Sequence, residues 1–302
     1  MIDTSPASVR RALRTTGANL TVGPFLVRLN SRLDAVAACV SLFYGQQLLA
    51  ENTPFCDFHI RVDRPLGIRA LWRPQARFFI DEASPFKPLP LSQAFPLFEW
   101  GLNWCIAQHA HHFLLIHAAV VEREGRALVM PGAPGSGKST LAAGLTLSGW
   151  RLLSDEFALV SLQDGLIAPL PRPVSLKNES IETIRRAFPH AVLGPETRDT
   201  SKGTVAHLKQ PTDCVDRAHE AAMPGWIVFP KFTAGVSEQL VPLPKAHALL
   251  ALADASFNYS MLGGRGFEAA ADLVERSDCF ELSHGSLKGG LELLNGLRVP
   301  QS

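Results

Sequence analysis

No two cysteines of this sequence stand at Cys-x-x-Cys spacing. The five present, Cys39, Cys56, Cys105, Cys214 and Cys279, are scattered and odd in number. That argues against a disulfide scaffold or a cysteine zinc site and suits a reducing, cytoplasmic setting. No apolar run approaches the ~20 residues needed to cross a bilayer. The longest, Phe113 to Val121, is strand-sized and contains His117. Met1 to Arg14 is polar, which disfavours a signal peptide. An excess of charge is also lacking: 29 Lys and Arg face 28 Asp and Glu, for a net charge of +1. No strong field draws the chain to nucleic acid or an anionic membrane, and neither is expected as a partner. There is no internal repeat.

What is present reads as globular. The chain has 302 residues, 46% hydrophobic and 19% charged, enough for one large domain or two ordinary ones. Two regions are expected, 1–110 and 111–302. In the first, strands are predicted over Pro24–Leu29, Phe55–Val62, Arg69–Trp72 and Arg77–Ile80, with a helix over Arg32–Tyr44. The proline-rich break Ser84 to Pro90 precedes a helix over Gln93–His109, with Phe95, Phe98, Leu102 and Ile106 at helical spacing. His109, His111 and His112 fit a helix end better than a zinc site.

In the second region, Phe113–Val121 and Arg126–Met130 read as strands joined by the turn Glu122 to Gly125. A helix is predicted over Lys138–Ser148, then a short strand Arg151–Leu153 ending in Ser154-Asp155-Glu156. Phe157–Leu162 and Leu166–Ala168 flank a hairpin signal. Helices over Glu179–Phe188, Lys245–Ala253 and Phe267–Glu275 and strands over Trp226–Phe229 and Gln239–Leu243 complete the expectation.

Between strand and helix lies Gly132-Ala133-Pro134-Gly135-Ser136-Gly137-Lys138-Ser139, followed by Thr140. It satisfies Gly-x-x-x-x-Gly-Lys-[Ser/Thr] in full, in the strand–loop–helix context the mechanism requires. Gly135 and Gly137 let backbone N–H groups converge on one point. The start of the helix adds unpaired N–H groups and a positive dipole end. The Lys138 ammonium can reach the β- and γ-phosphates of a nucleoside triphosphate, and the Ser139 hydroxyl can ligate magnesium. ATP and Mg2+ are therefore the expected cofactors.

Two further features suggest phosphoryl transfer. A strand after the loop helix most simply lies beside the strand before the loop, so Asp155 and Glu156 open onto the same crevice. Asp155 there holds magnesium, directly or through water, or accepts a proton from an attacking hydroxyl. A four-residue turn pairs Val121 with Arg126 and, counting back, His117 with Met130. That sets the imidazole near the terminal phosphate, to donate to a phosphate oxygen or orient Asp155. Arg172, Lys177, Arg198 and Lys202 lie in polar, loop-like stretches; singly each reads as a solvated charge, Lys202 beside Gly203 being the best placed to clamp phosphate.

The order Ile116-His117-Ala118-Ala119, strand, glycine-rich loop, helix, Arg151-Leu152-Leu153-Ser154-Asp155-Glu156 resembles the catalytic domain of HPr kinase/phosphorylase. More narrowly, the whole chain resembles the HPr-kinase-related "kinase A" family. Pro171 to Lys177, Lys202 to Leu208 and Val22 to Phe25 resemble blocks of that group. The resemblance implies an α/β (α+β) fold. Its C-terminal P-loop kinase core, of the phosphoenolpyruvate-carboxykinase-like type, has a mixed sheet and follows a smaller strand-rich N-terminal region. It implies ATP-dependent transfer of the γ-phosphoryl group to a hydroxyl, of serine by analogy, on a peptide or small protein. By position, His117 matches the histidine preceding the loop strand, and Asp155 and Glu156 match two consecutive aspartates, Asp155 in the place of the base. Glu156 departs from the pattern by one methylene, and no copy of the loop supporting the reverse, phosphorolytic reaction is found. The acceptor implied is a peptide or a PqqD-like protein encoded nearby, and the homo-oligomers of HPr kinases make self-association an expectation. Two other readings stay open: a regulatory nucleotide-binding module with slow NTPase activity, and a small-molecule kinase.

Overall fold

The computed structural model describes residues 3–49, 55–65, 72 and 74–299. The strand expected over Arg69–Trp72 lies, Trp72 apart, outside them. The chain is a mixed α and β protein with mixed sheets, in two compact units. Unit one holds Met1–His109 and Leu193–Lys209; unit two holds Ala110–Val192 and Gln210–Ser302. Among the described residues no helix is long and apolar enough to cross a membrane.

In the first unit, alternating apolar residues make strands with one buried face. β1 (Ala18–Val22), β2 (Phe25–Asn30), β3 (Phe58–Asp63), β4 (Gln75–Ile80) and β5 (Leu89–Pro90) form a five-stranded sheet in that order. Phe25, Val27 and Leu29 of β2 and Phe58, Ile60 and Val62 of β3 point inward. The helices are α1 (Pro6–Arg14), α2 (Asp34–Tyr44) and α3 (Ala94–His109). Ser5 caps α1, its hydroxyl accepting from the Ser8 amide at 3.3 Å. Gly101 of α3 admits the Phe78 ring, which a Cβ there would meet at 2.0 Å. From later in the chain, β12 (Thr197–Thr200) and β13 (Gly203–Leu208) belong to this unit. Sequence periodicity missed α1, β1 and the polar β12. Lys202, in the turn between β12 and β13, lies over the Trp100 ring at 5.2 Å.

The second unit is built on one long strand, β6 (Phe113–Arg123). β7 (Arg126–Pro131) turns back along it through Glu124 and Gly125, whose φ values are 56° and 76°. This is a two-residue hairpin of the kind that matches strand twist, not the four-residue turn expected. Arg123 therefore faces Arg126, and Ala119, not His117, faces Met130. β8 (Arg151–Ser154) departs from expectation too: it pairs antiparallel with β6, not with β7. β9 (Phe157–Ser161) continues along the same side, with His117 opposite Phe157, and β10 (Ile167–Ala168) pairs with β9. On the other side, β14 (Met223–Phe232) runs parallel to β7, β16 (Asp278–His284) parallel to β14, and β15 (Gln239–Pro242) antiparallel to β16. The sheet order is β10-β9-β6-β7-β14-β16-β15.

The two faces of this sheet are covered differently. Leu114, Ile116, Ala118 and Val120 join Val129, Ile227, Ala248, Leu252, Ala270 and Leu273 in one buried cluster beneath α7 (Lys245–Asp254) and α9 (Gly264–Glu275). The opposite face carries α4 (Lys138–Leu147), which packs on β6 and against α10 (Leu287–Asn295) through Gly144 and Leu291.

A buried ion pair joins Arg151 of β8 to Glu122 of β6 at 2.6 Å, both side chains under 5% exposed. Without Arg151, the buried Glu122 carboxylate keeps the Gly125 amide and the partly exposed Arg217 guanidinium at 3.6 Å, but loses its close buried partner. Arg151→Ala is expected to lose about 3–5 kcal/mol of unfolding free energy, measured by denaturant titration.

Candidate functional site

The glycine-rich loop 132–137 leaves the carboxyl end of β7, a central strand, and enters α4. Gly135 and Gly137 have φ of 87° and 96°, a region glycine enters without a Cβ clash. No side chain caps α4, which leaves the amides of its first turn available to a ligand. Lys138 is buried, its ammonium donating to the Gly132 and Ala133 carbonyls at 2.6 and 3.0 Å. Burial draws its pKa down, against the opposing pull of Asp155 and Glu156. All of the residues predicted for phosphate, Gly132 through Thr140, thus lie in one loop and helix start.

Asp155 and Glu156 sit where the strand running along β6 breaks between β8 and β9. The acids reach the crevice from the β6 side of the loop, not from a strand beside β7. Asp155 is buried, and its Oδ2 accepts from the Ser175 amide at 2.9 Å. Its Oδ1 is buried without a partner. Burial first, then the Glu156 carboxylate, pushes the Asp155 carboxyl up to about 7; the Ser175 amide, the nearby Ser139 hydroxyl and the charge of Lys177 oppose the rise. Ser175 and Lys177 come from β11 (Val174–Lys177), which packs on α4.

His117 lies half-exposed, with Nε2 3.9 Å from Glu156 Oε2 and its ring 5.8 Å from that of Phe257. Its backbone amide donates to Ala255 at 2.8 Å, because the segment after α7 closes the side of β6 that β7 leaves open. The imidazole therefore meets Glu156 rather than the orphaned oxygen of Asp155.

Of the basic candidates, Lys177 comes close enough to act on both Asp155 and Lys138. Arg172 is 5% exposed, a buried cation rather than the solvated charge its polar surroundings suggested. Arg198 and Lys202 belong to the first unit. Two residues went unnoticed in the sequence. His284, the last residue of β16, is buried against the loop: a Cβ on Gly137 would lie 3.0 Å from its Nε2. Phe232, the last residue of β14, donates its amide to the Ser136 carbonyl at 3.2 Å. Neither has a local motif; the one available signal is a polar or aromatic residue closing an apolar strand.

Among the described residues, no group of three or more His, Cys, Asp or Glu is arranged to hold a metal ion. Magnesium asks for less: it commonly takes one or two carboxylates or hydroxyls and fills its shell with water and phosphate oxygens. The unpartnered Asp155 Oδ1, beside Ser139, fits that demand.

A carboxyl raised from 3.8 to about 7 on folding stabilises the fold fully below pH ~4 and loses that contribution as pH climbs through 7. In the nucleotide-free protein, Asp155→Asn is therefore expected to melt a few degrees above the parent at pH 8, roughly 2–4 °C per kcal/mol, with the gap closing toward pH 4. Thermal unfolding across that range checks it.

Searches against protein-family models and against curated proteins find no match to this chain.

Proposed function

We propose that the chain is an ATP-dependent phosphotransferase of the HPr-kinase-like type, acting on a hydroxyl of a peptide or small protein. The observation that carries this reading is the fully buried Asp155, one oxygen without a partner, beside the Lys138 and Ser139 of an amide-lined loop. In this reading, the loop amides and Lys138 hold the β- and γ-phosphates. Ser139 would hold magnesium directly and Asp155 through an intervening water, the ion neutralising phosphate charge when bound. The acceptor oxygen bonds to the γ-phosphorus as the bond from that phosphorus to the β–γ bridging oxygen breaks, leaving ADP. Asp155 takes the hydroxyl proton. His117 steadies Glu156 at the rim.

One observation favours a second reading. His117 and Glu156 are open to water, 3.9 Å apart, and such a pair can orient water for nucleotide hydrolysis. Free phosphate without a modified acceptor marks that outcome.

Lys138→Met is expected to abolish Mg-ATP uptake measured by calorimetry. Asp155→Asn is expected to keep Mg-ATP binding and to lower transfer to the acceptor about 10²-fold or more. Unchanged turnover in that variant removes Asp155 as the base.

A further inference from the structure

The two flanks of the glycine-rich loop differ in chemistry. On the β6 side lie Asp155, Glu156 and His117, the groups suited to the reacting phosphate. On the β14 side lies an aromatic surface. Phe232 is 45% exposed although it closes a buried strand. Its position is fixed by the Ser136 contact, and its Cβ lies 3.5 Å from the place of a Cβ on Gly137. From behind, the His284 ring supports it, centroids 5.3 Å apart.

That support is itself anchored. His284 Nδ1 lies 3.2 Å from the Ser286 carbonyl, an arrangement for N–H donation, and the His284 carbonyl accepts from the Thr233 amide at 3.0 Å. The Ser286 hydroxyl donates to Glu238 at 2.8 Å and caps α10 through Gly289. An apolar ring held this firmly yet left open to water has a free face.

A triphosphate whose γ end meets the acids extends its nucleoside toward the opposite flank of the loop. We propose that Phe232 is the platform on which the base of the bound nucleotide stacks. The inference rests on the nucleotide reading above and adds to it the residue that holds the base. Stacking on one aromatic face tolerates any base, since each presents a π-surface.

The test compares ATP with inorganic tripolyphosphate, both with magnesium, by calorimetry on the parent, Phe232→Ala and Phe232→Trp. Because nearly half of the residue is exposed and it lies outside the buried core, both variants are expected to fold. Phe232→Ala is expected to weaken ATP about tenfold or more and leave tripolyphosphate unchanged. Phe232→Trp is expected to keep ATP affinity, with fluorescence quenched by ATP and not by tripolyphosphate. Equal losses for both ligands make Phe232 a support of the loop and overturn the proposal, as does undiminished ATP binding in Phe232→Ala. A parent that binds tripolyphosphate as tightly as ATP overturns the platform while leaving the phosphate loop standing. A parent that binds neither overturns the nucleotide reading and this inference with it.

Discussion

Holding the Asp155 carboxyl out of water is the constraint on which the second unit's site depends. An unpaired buried carboxylate is costly, and here the cost is met in part by the Ser175 amide of β11, which donates to Oδ2. That bond fixes β11 against the break between β8 and β9. One oxygen still goes without a donor, so the site retains a local deficit that a cation or a proton can relieve. Strain of this sort is tolerated because the surrounding sheet is dense and its core fully buried.

The sheet also sorts chemistry by strand position. β7 lies between β6 and β14, so the loop leaving it has two unlike neighbours. The side toward β6 ends in carboxylates and an imidazole; the side toward β14 and β16 ends in Phe232 and His284. A ligand lying across the loop meets both at once. Because β14 and β16 run parallel to β7, their ends reach the same edge of the sheet as the loop.

The glycine-rich loop was legible because its glycines, lysine and serine lie within eight consecutive residues, and because strand and helix on either side follow from simple periodicity. The pairing around it was less so. Glu124 at positive φ shortens the hairpin to two residues, and a glutamate gives little warning of that. The resulting shift moves His117 from the β7 ladder to that of β9. Pairing of β8 with β6 is a long-range choice: Ser154-Asp155-Glu156 interrupts what is nearly one strand, and the interruption exposes no local signal of its neighbour. Phe232 and His284 reach the loop from strands roughly a hundred residues and more downstream, where no spacing rule connects them to Gly137. Arg172 was misread for a related reason: polar surroundings in sequence say little about burial in space.

Arg123 lies over the Trp150 ring at 4.4 Å and the Trp226 ring at 5.6 Å. Both indole N–H groups are engaged, one by the Asn295 side chain and the other by the Arg298 carbonyl. Arg123 itself donates to the Asn295 and Leu297 carbonyls, so one cation clasps the tail of the chain to the hairpin that precedes the glycine-rich loop. Since a nearby cation alters indole emission, these two chromophores give the second unit an optical signature of its own. Loss of the Arg123 contacts would therefore change the emission of Trp150 and Trp226.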